Sequence, residues 1–159
     1  MSILHKIGIL STDAAALEKK VGDTLTVTIT MVNPEPVHLI GFTLRAPEAL
    51  ELQNDSKWGD GLPIPDDEDI KETGPDAYYC EWSLKPDAPG LPPGTYTVAV
   101  VKFRCSAPID AQILVQDFIA ATYANGAPSQ YECDVEQAPS LRVVAAEVTG
   151  RVAVKVVVE

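Results

Sequence analysis

Asp23-Thr24-Leu25-Thr26-Val27-Thr28-Ile29-Thr30-Met31 alternates threonine with an apolar side chain at every step after its opening aspartate. Successive side chains of an extended strand leave the backbone on opposite faces. A strict period of two therefore sends Leu25, Val27, Ile29 and Met31 one way and Thr24, Thr26, Thr28 and Thr30 the other. Such a strand has one face on a core and one in water. Val21-Gly22-Asp23 before it reads as a turn. Asn33-Pro34-Glu35-Pro36 ends it, because proline has no N–H to give a ladder.

The same reading extends to either side. Strands are predicted over 39–45, 49–53, 78–84, 95–105, 112–116, 118–123, 129–135, 141–146 and 151–158. Asn125-Gly126 is a hairpin signal. In the last strand Val152, Val154, Val156 and Val158 line one face. Only 12–20 has helical character, with Thr12 or Asp13 as a cap before Ala14, Ala15, Ala16 and Leu17. The expected fold is all-β: a two-sheet jelly-roll or immunoglobulin-like sandwich of about nine to ten strands with at most one short helix. A chain of 159 residues with 13 Pro and 10 Gly suits one such domain over 1–159. Within it, 1–10 forms an N-terminal strand or arm, 54–75 a long acidic loop, and 148–159 an extra C-terminal strand.

Cys80, Cys105 and Cys133 each sit at an inward position of a predicted strand, beside Tyr78 and Trp82, Val101 and Phe103, and Tyr131 and Val135 respectively. They read as three core thiols, with one disulfide as the alternative. The net charge of −11 disfavours nucleic acid and anionic membrane as partners. It also keeps a β protein from associating edge to edge. The N-terminus lacks the charged, apolar, small pattern of a secretory signal. The expectation is cytoplasmic synthesis, with a virion as destination, or an extracellular site if an export signal has been removed.

Catalytic chemistry finds little purchase. His5 and His38, the two histidines, lie near no nucleophile motif. No two carboxylates stand in an apolar setting that would split their pKa values. Asp66-Asp67-Glu68-Asp69 lacks the central glycine of a calcium loop, and no cofactor or metal is expected. Gly59-Asp60-Gly61 has no following lysine and helix for a phosphate. Trp58 in the long loop either anchors an interface or folds back to cap the sandwich.

Three stretches in order resemble the cohesin domain family. Val21-Gly22-Asp23-Thr24-Leu25-Thr26-Val27 resembles its G-D-T-x-x-V opening strand. Ala46-Pro47-Glu48-Ala49-Leu50-Glu51-Leu52 resembles its D-P-x-x-L-E-V segment. Thr95 to Cys105, with Val98, Val101 and Phe103, resembles the strand ending in F-x-V, and Phe118 to Gly126 would sit at the late F-x-D-G hairpin. The resemblance spans about 20–145 and implies a jelly-roll sandwich of about nine strands. Arg45-Ala46, the 54–75 loop and the valine-rich end depart from the pattern.

The function expected is a non-enzymatic structural or protein-interaction module that docks on a larger assembly. A phage capsid decoration or auxiliary virion protein comes first, with the N-terminal arm and C-terminal strand adding to a neighbour's sheet. An extracellular cohesin-type module binding a dockerin-like partner is the alternative, and a carbohydrate-binding module the second alternative. The partner is another protein, such as a capsid, a scaffold or a second copy of the chain. Trp58, Asp60, Asp66, Asp67, Asp69, Val154 and Val156 are the partner-binding candidates.

Overall fold

The structure is a computed structural model describing residues 4–11, 18–124, 126–138, 140–145 and 157–158. Among them fourteen strands form and no helix. They are β1 (Leu4–Ser11), β2 (Glu18–Lys20), β3 (Thr24–Asn33), β4 (Leu39–Arg45), β5 (Leu50–Leu52), β6 (Lys57–Trp58) and β7 (Asp67–Gly74). Then come β8 (Ala77–Ser83), β9 (Gly94–Cys105), β10 (Ile109–Ala111), β11 (Leu114–Ala124), β12 (Ala127–Gln130), β13 (Glu132–Glu136) and β14 (Leu141–Val144).

A six-stranded sheet runs β13-β1-β3-β9-β5, with β6 also on β9. A five-stranded sheet runs β12-β11-β4-β8-β7, and a small sheet β10-β14-β2 pairs with neither, although Leu141 and Val143 of β14 join the same core. The core forms where the inner faces of the two larger sheets meet. Leu25, Val27, Ile29 and Met31 of β3 are buried while Thr24 is exposed and Thr26, Thr28 and Thr30 are half-buried, as the alternation requires. Ile40, Phe42 and Leu44 of β4, Tyr78, Cys80 and Trp82 of β8, and Val101, Phe103 and Cys105 of β9 complete that interior. Rings cross between the sheets: Phe42 meets Trp58 edge-on at 5.7 Å, and Tyr78 meets Phe103 at 6.2 Å.

Several sequence expectations change. The 54–75 loop carries two strands, and Asp67 and Asp69 lie on one of them, β7. Acidic residues hid that strand because its side chains are mostly exposed and give no apolar period. Trp58 is only 7 % exposed and takes the second of its two placements. Its indole N–H donates to the Asp69 backbone carbonyl at 3.4 Å, pinning the loop across the sandwich. Gly59 follows it against the Thr97 backbone, where a Cβ would lie 1.9 Å from the Thr97 carbonyl oxygen. Only glycine allows that approach.

The two strands expected over 112–116 and 118–123 are one, β11, whose pairing with β4 shifts between Gln116 and Ile119. Asp117 takes φ 53 there, a left-handed conformation that aspartate tolerates. The bulge breaks the period of two, and so imitates a strand end. The single strand expected over 129–135 is instead two, because the chain changes sheets at Tyr131: β12 pairs with β11, and β13 runs parallel to β1. β1 lies between β3 and β13 within its own chain's sheet, so over 4–11 the N-terminal segment is no free arm. In the helical candidate, 18–20 is strand β2 and 12–17 lies outside the described residues. So do residues 151–156 of the valine-rich strand.

All three cysteines are free, Cys80 and Cys105 buried and Cys133 half-buried rather than fully in the core. Burial pushes the Cys80 thiol from 9.0 up to about 12, with the Asp69 charge adding to the shift. The fold therefore keeps a proton that the unfolded chain releases. Stability is full below pH 9, and falls as the pH climbs from 9.0 towards about 12. Urea midpoints measured between pH 8 and pH 11 should show this decline, and Cys80→Ala should flatten it. Rapid labelling of Cys80 by a thiol reagent in the native state at pH 8 would contradict it. Trp58→Ala should cost about 3–5 kcal/mol in the same urea assay, as large-to-small core changes do. Ile64→Ala, at a side chain 93 % exposed, should move stability by less than about 0.5 kcal/mol.

Candidate partner-binding face

The residues singled out in the sequence do not converge. Trp58 is core. Asp60 pairs with Lys57 at 3.2 Å on an exposed loop, and Asp66 lies 3.9 Å from Lys85. Asp67 and Asp69 point outward from β7. Val154 and Val156 lie outside the described residues. Among the described residues no three carboxylate, histidine or cysteine groups gather as metal ligands would. Burial of Trp58 also removes the ring on which a sugar-stacking role depended.

His38 is buried beneath the 85–94 turn. Its Nε2–H donates to the Ala88 carbonyl at 2.6 Å, and Nδ1 bonds Thr122 Oγ1 at 2.9 Å. Gly90, at φ 84, sits over the ring, where a Cβ would come within 2.8 Å of it. With both nitrogens engaged and the ring covered, this histidine clamps a turn onto β4 and β11.

The two outer sheet faces differ. That of the six-stranded sheet is a threonine row, Thr24 to Thr30, beside Lys102 and Arg104 on β9. Val100 interrupts it beside Thr28, and Val32 is exposed at one end. On the five-stranded sheet the pairings align Ile119, Gly41, Glu81 and Asp69 in one row, and Gln116, Thr43, Tyr79 and Lys71 in the next. Tyr79 remains 39 % exposed and lies over Gly41, whose Cβ would meet its hydroxyl at 3.3 Å. An aromatic ring spanning a glycine of the next strand seals the gap that glycine leaves. Partial burial raises the Tyr79 phenol, and the charges of Glu81 and the Cys80 thiol add to the shift, so the hydroxyl stays protonated. Ile119, half-buried, stands opposite Gly41 on β11, and Leu39, also half-buried, lies one row beyond Gly41 on β4. The result is a platform of Tyr79 and Ile119 about Gly41 that also carries the half-buried Glu81, with Asp67, Asp69, Lys71 and Arg45 at the margins. Sequence reasoning missed it. The period of two places Tyr79 outward, but its juxtaposition with Gly41 depends on a register that only the folded sheet supplies.

No protein-family model and no curated protein sequence matches the chain. Solved structures do. The seventh ScaB type I cohesin from Pseudobacteroides cellulosolvens superposes at TM-score 0.72 with 14 % identity, covering 94 % of this chain and 98 % of that one. A non-cellulosomal cohesin from the hyperthermophilic archaeon Archaeoglobus fulgidus superposes at 0.63 with 17 % identity, over 90 % of each chain. A type I cohesin–dockerin complex from Clostridium thermocellum, Coh-OlpC–Doc435, gives 0.67 with 12 % identity, over 91 % of this chain and 96 % of that one. The chain therefore has a cohesin-like jelly-roll β-sandwich fold.

Proposed function

We propose that the chain is a non-enzymatic protein-interaction module that binds a dockerin-like partner through the outer face of its five-stranded sheet. The Tyr79–Gly41 platform carries this reading. Interfaces combine a desolvated apolar centre with a polar rim, and aromatic side chains concentrate their binding energy. Tyr79 with Leu39 and Ile119 supplies the apolar part, Glu81 stands among them as a charged contact, and Asp67, Asp69, Lys71 and Arg45 form the rim. Three of the similar solved structures are cohesin–dockerin complexes. The capsid-docking reading has less behind it. The similar structures are cohesins, and the N-terminal segment it relied on is taken up within the chain's own sheet over 4–11.

Calorimetric titration with dockerin modules encoded in the same genome tests the proposal. One-to-one binding is expected. Tyr79→Ala should weaken it by about 1–3 kcal/mol, the range of a central aromatic contact. Thr28→Ala on the opposite sheet should leave affinity unchanged. Loss of binding on Thr28→Ala with Tyr79→Ala silent would refute this choice of face.

A further inference from the structure

β5 and β7 are the last strands on one side of the two larger sheets, and the sandwich gapes between them. The groove there holds about 780 Å³. Leu52, Ile70 and Tyr78 give it an apolar floor, and Glu48, Glu51 and Glu72 stand on its rim. No lysine or arginine lines it, and no ion pair among the described residues engages those three glutamates. The charge of Glu72 reaches the floor, where it adds to burial in raising the Tyr78 phenol.

β7 borders this groove. It pairs with β8 along one side and, among the described residues, with no strand along the other. An eight-residue strand left open in this way presents a row of unused backbone donors and acceptors. Its register with β8 turns Glu68, Ile70 and Glu72 inward, level with Trp82, Cys80 and Tyr78, and turns Asp67, Asp69 and Lys71 outward. Any strand laid beside it would therefore meet carboxylates on both faces, with Lys71 among them on the outer one, and one aliphatic side chain, Ile70, on the inner one.

We infer that this edge and groove take an extended basic peptide segment, added as a further strand beside β7. Backbone hydrogen bonds would hold the peptide along the edge, as in other strand additions. An aliphatic side chain opposite Ile70 would enter the groove and cover Leu52 and Tyr78. Lysines or arginines on either side of it would face Glu48, Glu68 and Glu72. Charge chooses this occupant, because an acidic or neutral strand would leave those carboxylates facing one another without a counter-charge. Repulsion between copies also explains an acidic edge. It does not call for an apolar-floored groove of this size behind that edge. The groove lies on the inner side of β7 and the Tyr79 platform on the outer side; the two share that strand, whose outward Asp67, Asp69 and Lys71 border the platform, but the groove's own lining takes no part in it.

The test is a titration of the isotope-labelled full chain, followed by amide NMR and hydrogen exchange, with an acetylated and amidated hexapeptide alternating lysine and valine. A glutamate–valine peptide and spermine serve as comparisons. Saturable shifts and slowed exchange should appear at 67–74 with the lysine–valine peptide alone, and weaken as salt is added. The double variant Glu48→Gln, Glu72→Gln changes two exposed side chains and should bind about tenfold more weakly. The proposal is overturned by unmoved 67–74 amides, by equal protection from spermine, or by undiminished binding to the double variant.

Discussion

Everything in this molecule rests on two pleated layers meeting through a dry, largely aliphatic interior, and two pairs of aromatic rings bridge those layers. Phe42 is their hub. It meets Trp58 from the opposite sheet edge-on and stacks on Phe118 at 5.5 Å with the planes 6° apart. Tyr78 and Phe103 repeat the bridge further along. Each buried ring of this size contributes about 1.5–3 kcal/mol relative to exposure. Their positions also fix the register of β4, β6, β8 and β9, since a one-residue slip would turn each ring to the solvent. Once the register is fixed, so are the outer faces. Tyr79 reaches over Gly41 because Tyr78 and Cys80 on either side of it, and Ile40 and Phe42 beside Gly41, are held inward.

The parts of the fold legible in the sequence are those where burial alternates cleanly. β3 could be read almost residue by residue, β4 was read to its ends, and β9 was legible from Val101 to Cys105, past the irregularity at Val98 and Ala99 where two successive side chains are buried. β7 was invisible for the opposite reason: on an exposed edge nothing selects apolar residues at every second position. β11 was cut in two by a bulge at Asp117, and the 129–135 segment was fused because the change of sheet at Tyr131 leaves the alternation of Tyr131, Cys133 and Val135 unbroken. Local pattern registers whether a side chain is covered, not which sheet covers it.

The candidate face was less legible than the fold. An exposed tryptophan and a run of acids are the usual signs of a binding loop. Here Trp58 is spent on the core, and three of the acids, Asp67, Glu68 and Asp69, lie on an edge strand. Glycine at 41 and tyrosine at 79 carry no signal separately. Their meaning comes from pairing across strands some forty residues apart in sequence, which is information about topology. The fold itself sets no function, since the same sandwich can present different outer faces. What distinguishes this chain is the contrast between a threonine-covered sheet and one bearing an aromatic platform.

Hydrogen–deuterium exchange of the complex with the proposed dockerin-like partner addresses that contrast most directly. Slowed exchange at 39–45 and 77–83, with 24–32 unchanged, is the result this account requires. Protection confined to the threonine-bearing strand would contradict it.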